Sequence, residues 1–265
     1  MIKKYLVIGN PIEHSLSPKV HNYWIKKNNI QAIYTKQKLE DFELENLISQ
    51  VKEKKINGVN ITVPFKKKII PFLDILSPEA EATQSVNTIY LNDNKVVGLN
   101  TDIEGFELSI KNMNFNVTNK TALVLGAGGV TPSIIYALKK MKISKITVSN
   151  RTKEKAENLK SLFNNLNIIE WGEIINFDII INTTSIGLNI KDQLPIKLTK
   201  EIKNKFFFDV IYNPKETNFL KKGKEFGNKI ENGKNMFIYQ ASAAFKIWHN
   251  IQPEVDRNII KLLDS

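Results

Sequence analysis

The stretch "GVNITVPFKKKII", Gly58 to Ile70, sets two polar side chains and a lysine on a short path. Val59, Ile61 and Val63 alternate with Asn60 and Thr62, the period of a strand. Asn60 and Thr62 therefore share one face. A strand buried in an α/β sheet gains nothing from two polar side chains there unless they meet something polar. Lys66 follows the strand's carboxyl end, where open α/β sheets keep their ligands. "GNPIEHSLSPK" places Ser15 and Ser17 after the carboxyl end of an earlier strand. "SVNTIY" supplies Asn87, and "LNTDIEG" supplies Thr101 and Asp102. Hydroxyls and amides of this kind are what a polyhydroxylated acid needs. Lys67 and Lys68 read as solvated.

A second cluster follows in "TALVLGAGGVTPSIIYALKK", a strand, a glycine turn and a helix in that order. The turn Gly126-Ala127-Gly128-Gly129-Val130 fits the start of a dinucleotide phosphate-binding fingerprint. Its glycines permit a tight turn and a close backbone approach to a pyrophosphate at the helix N-terminus. Thr131 occupies the third glycine position, a departure from the strict pattern. An enzyme for NAD usually ends the next strand with Asp or Glu, which holds the ribose 2′-hydroxyl. Here "KITVSNRTKEKAENL" ends it with Asn150-Arg151-Thr152. A guanidinium can fork onto a 2′-phosphate that a carboxylate would repel, and Lys155 lies one turn on. NADP(H) is expected over NAD.

The elements that must position these residues alternate between strand and helix, the pattern of an α/β protein with parallel sheets. Strands are expected over 4–9, 32–38, 57–63, 121–125, 145–149, 178–181 and 205–209. Helices are expected over 18–28, 42–54, 102–113, 130–141, 153–164, 234–250 and 254–263. Ser17-Pro18 reads as an N-cap followed by proline at the first helical position. "TIYLNDNKVVGLN" reads as a hairpin turning at Asn92-Asp93-Asn94. The polar stretch "NMNFNVTNK" reads as a linker.

Composition narrows the field. A chain of 265 residues with 42% hydrophobic content has room for about two domains. With no cysteine, disulfides, thiolate metal sites and a cysteine nucleophile are excluded. His14, His21 and His249 are too far apart for a local metal motif. No apolar run approaches the roughly 20 residues that span a bilayer, and a cytoplasmic location is expected. The net charge of +11 is nearly all lysine, because Arg151 and Arg257 are the two arginines. Readers of nucleic acid favour arginine for its bidentate fork. The lysines are scattered among acids, so solvated faces are expected and no nucleic-acid partner.

Taken together, the motifs "GNPIEHSLSPKVHN", "VNITVPFK", "SVNTI", "NTDIEGF", "VLGAGGV", "SNRTKEKA", "INTTSIGL", "DVIYNPKETNFL" and "NGKNMFIYQASAAF" resemble the shikimate dehydrogenase family over essentially the whole chain. The resemblance implies a substrate-binding α/β domain with a mostly parallel sheet, residues 1–101 plus 237–265. It implies a Rossmann-type NADP domain over 102–236. The implied activity is reversible NADPH-dependent reduction of 3-dehydroshikimate to shikimate. A quinate-accepting paralogue and a non-catalytic ligand sensor are the alternatives. By the same resemblance Ser15 and Ser17, assisted by Tyr212, would hold the substrate carboxylate. Asn60, Thr62, Asn87 and Gln240 would bind ring hydroxyls or orient the groups that do. Lys66 and Asp102 would form the catalytic pair, and Gly233 with Val210 would line the nicotinamide. A monomer or homodimer is expected.

Overall fold

Two six-stranded sheets carry the chain. The computed structural model describes residues 2–189 and 191–264. Contacts divide it into one unit of residues 1–105 with 238–265, and a second of residues 106–237.

The first unit contains β1 (Lys3–Gly9), β2 (Ala32–Lys38), β3 (Gly58–Ile61), β4 (Ile75–Leu76), β5 (Thr88–Asn92) and β6 (Lys95–Leu99). Their spatial order is β2-β1-β3-β5-β6-β4. β5 runs antiparallel to both its neighbours, and the other pairings are parallel. The reversal is made by the expected hairpin, whose tip residues Asp93 (φ 48°) and Asn94 (φ 60°) both take the left-handed backbone that a tight turn between twisted strands demands. Helices α1 (Ser17–Lys27), α2 (Leu44–Lys52), α3 (Phe65–Lys68), α4 (Pro78–Thr83) and α5 (Asp102–Asn112) complete the run. The core beneath β3 joins Val59 and Ile61 to Leu47, Val51, Phe65, Ile89 and Val96.

The second unit contains β7 (Thr121–Leu125), β8 (Lys145–Ser149), β9 (Leu166–Ile169), β10 (Ile179–Asn182), β11 (Phe206–Asp209) and β12 (Lys229–Glu231), with α6 (Thr131–Lys140), α7 (Lys153–Glu157) and α8 (Asn218–Glu225). Every pairing is parallel, in the order β12-β11-β10-β7-β8-β9. Strand order reverses between β7 and β10. This is the doubly wound arrangement, which puts its ligand crevice outside the carboxyl ends of those two strands. α9 (Lys234–His249) and α10 (Arg257–Leu262) end the chain. The boundary between units falls inside α5 and again inside α9.

Several expectations need correction. The polar stretch 112–120 is no linker: Val117 is buried, and Phe115 packs against Phe206 with ring centroids 4.6 Å apart. Ser17 is the first residue of α1, not its cap, because Leu16 holds the cap position without a side-chain hydrogen bond. The helix expected over 153–164 is helical only to Glu157 and then tightens into a 3₁₀ turn. The sequence reading passed over β4, β9, β12, α4 and α8. β4 and β12 have two and three residues, too short for a periodic signal. α8 buries Phe219, Leu220 and Gly223 under a lysine-rich exterior.

α9 returns to the first sheet at Trp248, whose indole nitrogen donates to Ile89 O at 3.2 Å. The indole covers Gly58 so closely that an added Cβ would lie 2.4 Å from Nε1. Gly58→Ala must push the ring away. Urea denaturation should show a loss of about 1–3 kcal/mol, the usual penalty for overpacking. An unchanged midpoint would mean that Trp248 does not lie over this strand.

Candidate active site

The first unit gathers its polar residues at the carboxyl ends of β1 and β3. β3 stops at Ile61 and the chain turns through Pro64 into α3, a single helical turn that starts at Phe65. Phe65 is 1% exposed and anchors this turn in the core. Lys66, the next residue, is held where its ammonium pairs with the Asp102 carboxylate at the first position of α5. The side chains are only 12% and 9% exposed. Taking both charges from water is costly unless the remaining polar atoms are satisfied.

Asn87 supplies much of that satisfaction. Its Oδ1 accepts from Thr101 N at 2.8 Å, which fixes the amide orientation, and its Nδ2 donates to Asp102 Oδ1 at 2.9 Å. The same Nδ2 reaches Gln240 Oε1 at 3.5 Å. Asp102 N donates to Asn100 Oδ1 at 3.2 Å. One carboxylate oxygen therefore faces the lysine and the other faces an amide, and the aspartate sits at a helix start that favours its charge.

Asn60 joins the same network. Its Nδ2 donates to Asn87 O at 3.1 Å and to Thr88 Oγ1 at 3.0 Å, while its Oδ1 accepts from the Tyr34 hydroxyl at 2.6 Å. Both amide hydrogens are used within the protein, so Asn60 orients its neighbours, with only a lone pair on Oδ1 to offer a ligand. Tyr34 is buried, which holds its phenol protonated, and the Ser17 hydroxyl hydrogen-bonds it. Ser15 and Ser17 are coupled through their hydroxyls at 3.3 Å. Thr62 is half-buried, and its side chain makes no hydrogen bond among the described residues.

The sequence reading missed Tyr34. It lies on β2 in an otherwise polar run, and nothing in "AIYTKQK" marks it apart from other strand aromatics. Behind it His21 stacks at 4.2 Å between centroids with planes 3° apart. Burial pushes the His21 pKa down to about 3, so it serves as a neutral ring.

The second unit builds a different site at the carboxyl ends of β7, β8, β10 and β11. Gly126 has φ +112°, a conformation costly for other residues, and a Cβ there would lie 2.7 Å from Thr183 Oγ1. Ala127 N donates to Asn150 Oδ1 at 3.1 Å, which ties the turn to the end of β8. Thr131, the departure from glycine, is fully buried. Its Oγ1 accepts from Gly128 N at 3.0 Å and meets Thr183 Oγ1 at 2.8 Å. The threonine braces the loop from within. A Cβ at Gly128 would meet nothing nearer than Thr183 O at 3.9 Å, so the outer face of the turn is open to close approach. No side chain caps α6, which leaves its positive end for a phosphate. Arg151 and Lys155 are exposed, and neither has an ion-pair partner among the described residues. These features fit a phosphorylated dinucleotide.

Val210 and Gly233 come together after β11, where a Cβ on Gly233 would lie 2.0 Å from Val210 O. The loop that carries Val210 is pinned by Asp209, a residue sequence reasoning also missed. Its carboxylate accepts from Thr217 Oγ1 at 2.7 Å, Ile211 N at 3.0 Å and Asn182 Nδ2 at 3.1 Å. Burial pushes its pKa up to about 6 against those three donors. Tyr212 stacks on Phe237 at 4.7 Å within this unit.

The family described as "Shikimate dehydrogenase substrate binding domain" matches residues 7–89, and "Shikimate / quinate 5-dehydrogenase" matches residues 107–220. The chain is 62% identical over 264 residues to a shikimate dehydrogenase (NADP(+)) of Pelagibacter ubique, covering 100% of both chains. Among solved structures, shikimate dehydrogenase from Aquifex aeolicus superposes with a TM-score of 0.90 at 38% identity, covering 100% of this chain and 98% of that one. A Thermus thermophilus shikimate 5-dehydrogenase structure, in complex with NADP(H) and shikimate, superposes with a TM-score of 0.88 at 28% identity, covering 99% and 98%. With both family domains matched in order and a full-length relative at this identity, the chain belongs to the shikimate dehydrogenase family.

Proposed function

We propose that this protein is an NADP-dependent shikimate dehydrogenase that interconverts 3-dehydroshikimate and shikimate, a step of aromatic amino-acid biosynthesis. The buried Lys66–Asp102 pair, braced by Asn87 at the carboxyl end of β3, carries the reading. It is supported by relatives named for this activity and by the Thermus thermophilus structure with NADP(H) and shikimate. Ser15 and Ser17 would hold the substrate carboxylate, with Tyr212 assisting. Thr62, Asn87 and Gln240 would meet ring hydroxyls, oriented by Asn60. Gly126 to Val130, with Asn150, Arg151, Thr152 and Lys155, would hold the phosphates of NADP(H), and Val210 and Gly233 would border the nicotinamide. The units of residues 1–105 with 238–265 and 106–237 then serve as the substrate and cofactor domains. A cytoplasmic enzyme, monomeric or homodimeric and without a nucleic-acid partner, completes the proposal. No helix among the described residues is long and apolar enough to cross a membrane.

Bound NADP(H) supplies the hydride chemistry. The protein's task is the proton of the alcohol. As the ketone is reduced the Lys66 ammonium would give one proton to the oxygen and become a neutral amine, and as the alcohol is oxidised that amine would take the proton back. Asp102 aims the ammonium and stabilises its charge, and Asn87 holds the carboxylate in place.

Three outcomes test the assignments. Lys66→Met should lower kcat by about 10²–10⁴-fold, the usual worth of a positioned acid–base group, while KM for shikimate moves only modestly. Turnover within a few-fold of the parent would make Lys66 a binding residue. Arg151→Ala should raise KM for NADP⁺ by about 10- to 100-fold, the loss of charged hydrogen bonds to a phosphate, and leave KM for NAD⁺ nearly unchanged. Equal loss with both coenzymes would remove the 2′-phosphate contact. Tyr34→Phe deletes only the hydroxyl that anchors Asn60, so KM for shikimate should rise while KM for NADP⁺ stays constant. No change in either constant would show that this hydrogen bond does not organise the pocket.

A further inference from the structure

At the opposite end of the first sheet from Lys66, the amino-terminal ends of the parallel strands frame an open cavity of about 220 Å³. Lys3 and Tyr5 line it from β1, Lys54 and Asn57 from the turn between α2 and β3, Tyr90 from β5 and Trp248 from α9. Strand register explains the shape. Tyr5 and Tyr90 both pair with Gly58, so two phenol rings stand either side of a residue with no side chain, and Trp248 fills the floor between them.

The polar groups here are hydrogen-bond donors without acceptors to match. Tyr5 is only 2% exposed, what it exposes includes the hydroxyl, and that hydroxyl has no hydrogen-bond partner among the described residues. Burial pushes its pKa up to about 12, so it stays a donor. Asn57 spends its Oδ1 on Lys4 N at 2.9 Å, which turns its NH₂ group to other uses. Neither Lys3 nor Lys54 has an ion-pair partner among the described residues, and no carboxylate lines the cavity. Donors that the protein leaves unmatched are free to take a bound acceptor. Aromatic walls with convergent polar groups are the usual make-up of a small-molecule site. The residues take no part in the chemistry at Lys66 or in the dinucleotide turn.

From this inventory we propose that the cavity binds a small planar organic anion, a ring bearing one carboxylate. The ring lies against Trp248 and Tyr90. The carboxylate accepts from the Tyr5 hydroxyl and the lysine ammoniums.

Calorimetric titration of the full-length protein with benzoate tests this, with shikimate present at saturation so that the substrate's own carboxylate site is filled. Saturable one-to-one binding is expected. Benzyl alcohol, which keeps the ring without the charge, and inorganic phosphate, which keeps charge without the ring, should both fail to saturate. The double variant Lys3→Ala/Lys54→Ala should bind benzoate about tenfold or more weakly, the loss of charge-assisted contacts, with kcat and KM for shikimate unchanged as proof of folding. Absence of saturable benzoate binding, equal affinity in the double variant, or equal binding of phosphate would overturn the proposal.

Discussion

A lysine and an aspartate buried together set the terms for the first unit. Two charges held at 12% and 9% side-chain exposure are an expense unless every remaining lone pair and proton finds a partner. The network around them supplies partners on the carboxylate side. Asn87 gives its NH₂ to the second carboxylate oxygen and takes Thr101 N on its carbonyl, and Asn60 braces Asn87 through the backbone. The chain spends a strand, a hairpin and a helix start to bring Asn60, Asn87 and Asp102 together, and the antiparallel β5 belongs to that arrangement. Thr88, its first residue, pairs with Asn60 across the sheet and accepts one of its amide hydrogens.

The second unit solves a different problem with the same means. A loop that must admit a pyrophosphate at close range cannot fill itself with side chains, so it must be braced from behind. Thr131 does this in the position where glycine is customary. Its hydroxyl accepts Gly128 N and meets Thr183 at the end of β10, within a fully buried space. The strict glycine pattern is thus one solution among others for packing a helix against its preceding strand. Here a hydroxyl that bonds to both strands at the switch point replaces it. Asp209 repeats the principle after β11, where one buried carboxylate collects three donors and fixes the start of the loop that carries Val210.

Most of the frame was legible because it rests on local pattern. Apolar strands such as "TALVL" and "KFFFD" and the asparagine-aspartate turn at 92–94 announce themselves within a few residues. That Lys66 and Asp102 pair was legible through the family resemblance, and the polar pair on a buried strand showed only that polar neighbours must be near. Tyr34, Thr183 and Asp209 were not legible, because their importance lies in hydrogen-bond partners 26, 52 and 8 residues away that no periodic pattern announces. Asn60 shows the same limit from the other side. Its polarity on a buried strand was readable, yet whether it faces a ligand or a neighbour is decided by Tyr34 and Thr88. The reading of 112–120 as a linker failed because its asparagines hide Phe115 and Val117, which belong to a core assembled from elsewhere.

Charge makes the same point most sharply. The chain has 38 basic residues, and their number says almost nothing about function. Lys153, more than half exposed, pairs with the equally exposed Glu170, and contacts of that kind contribute little in water. Lys66 has the same ammonium, but a phenylalanine one residue before it is sunk in the core and a carboxylate waits at the start of α5. Burial raises the strength of its interaction and removes its freedom to turn away. Arg151 is the converse case: exposed and without an ion-pair partner among the described residues, it would owe its proposed role to the strand end it occupies, where no acid stands to repel a phosphate. What a cation does in this protein is decided by what surrounds it, by water or its exclusion, and only secondarily by what it is.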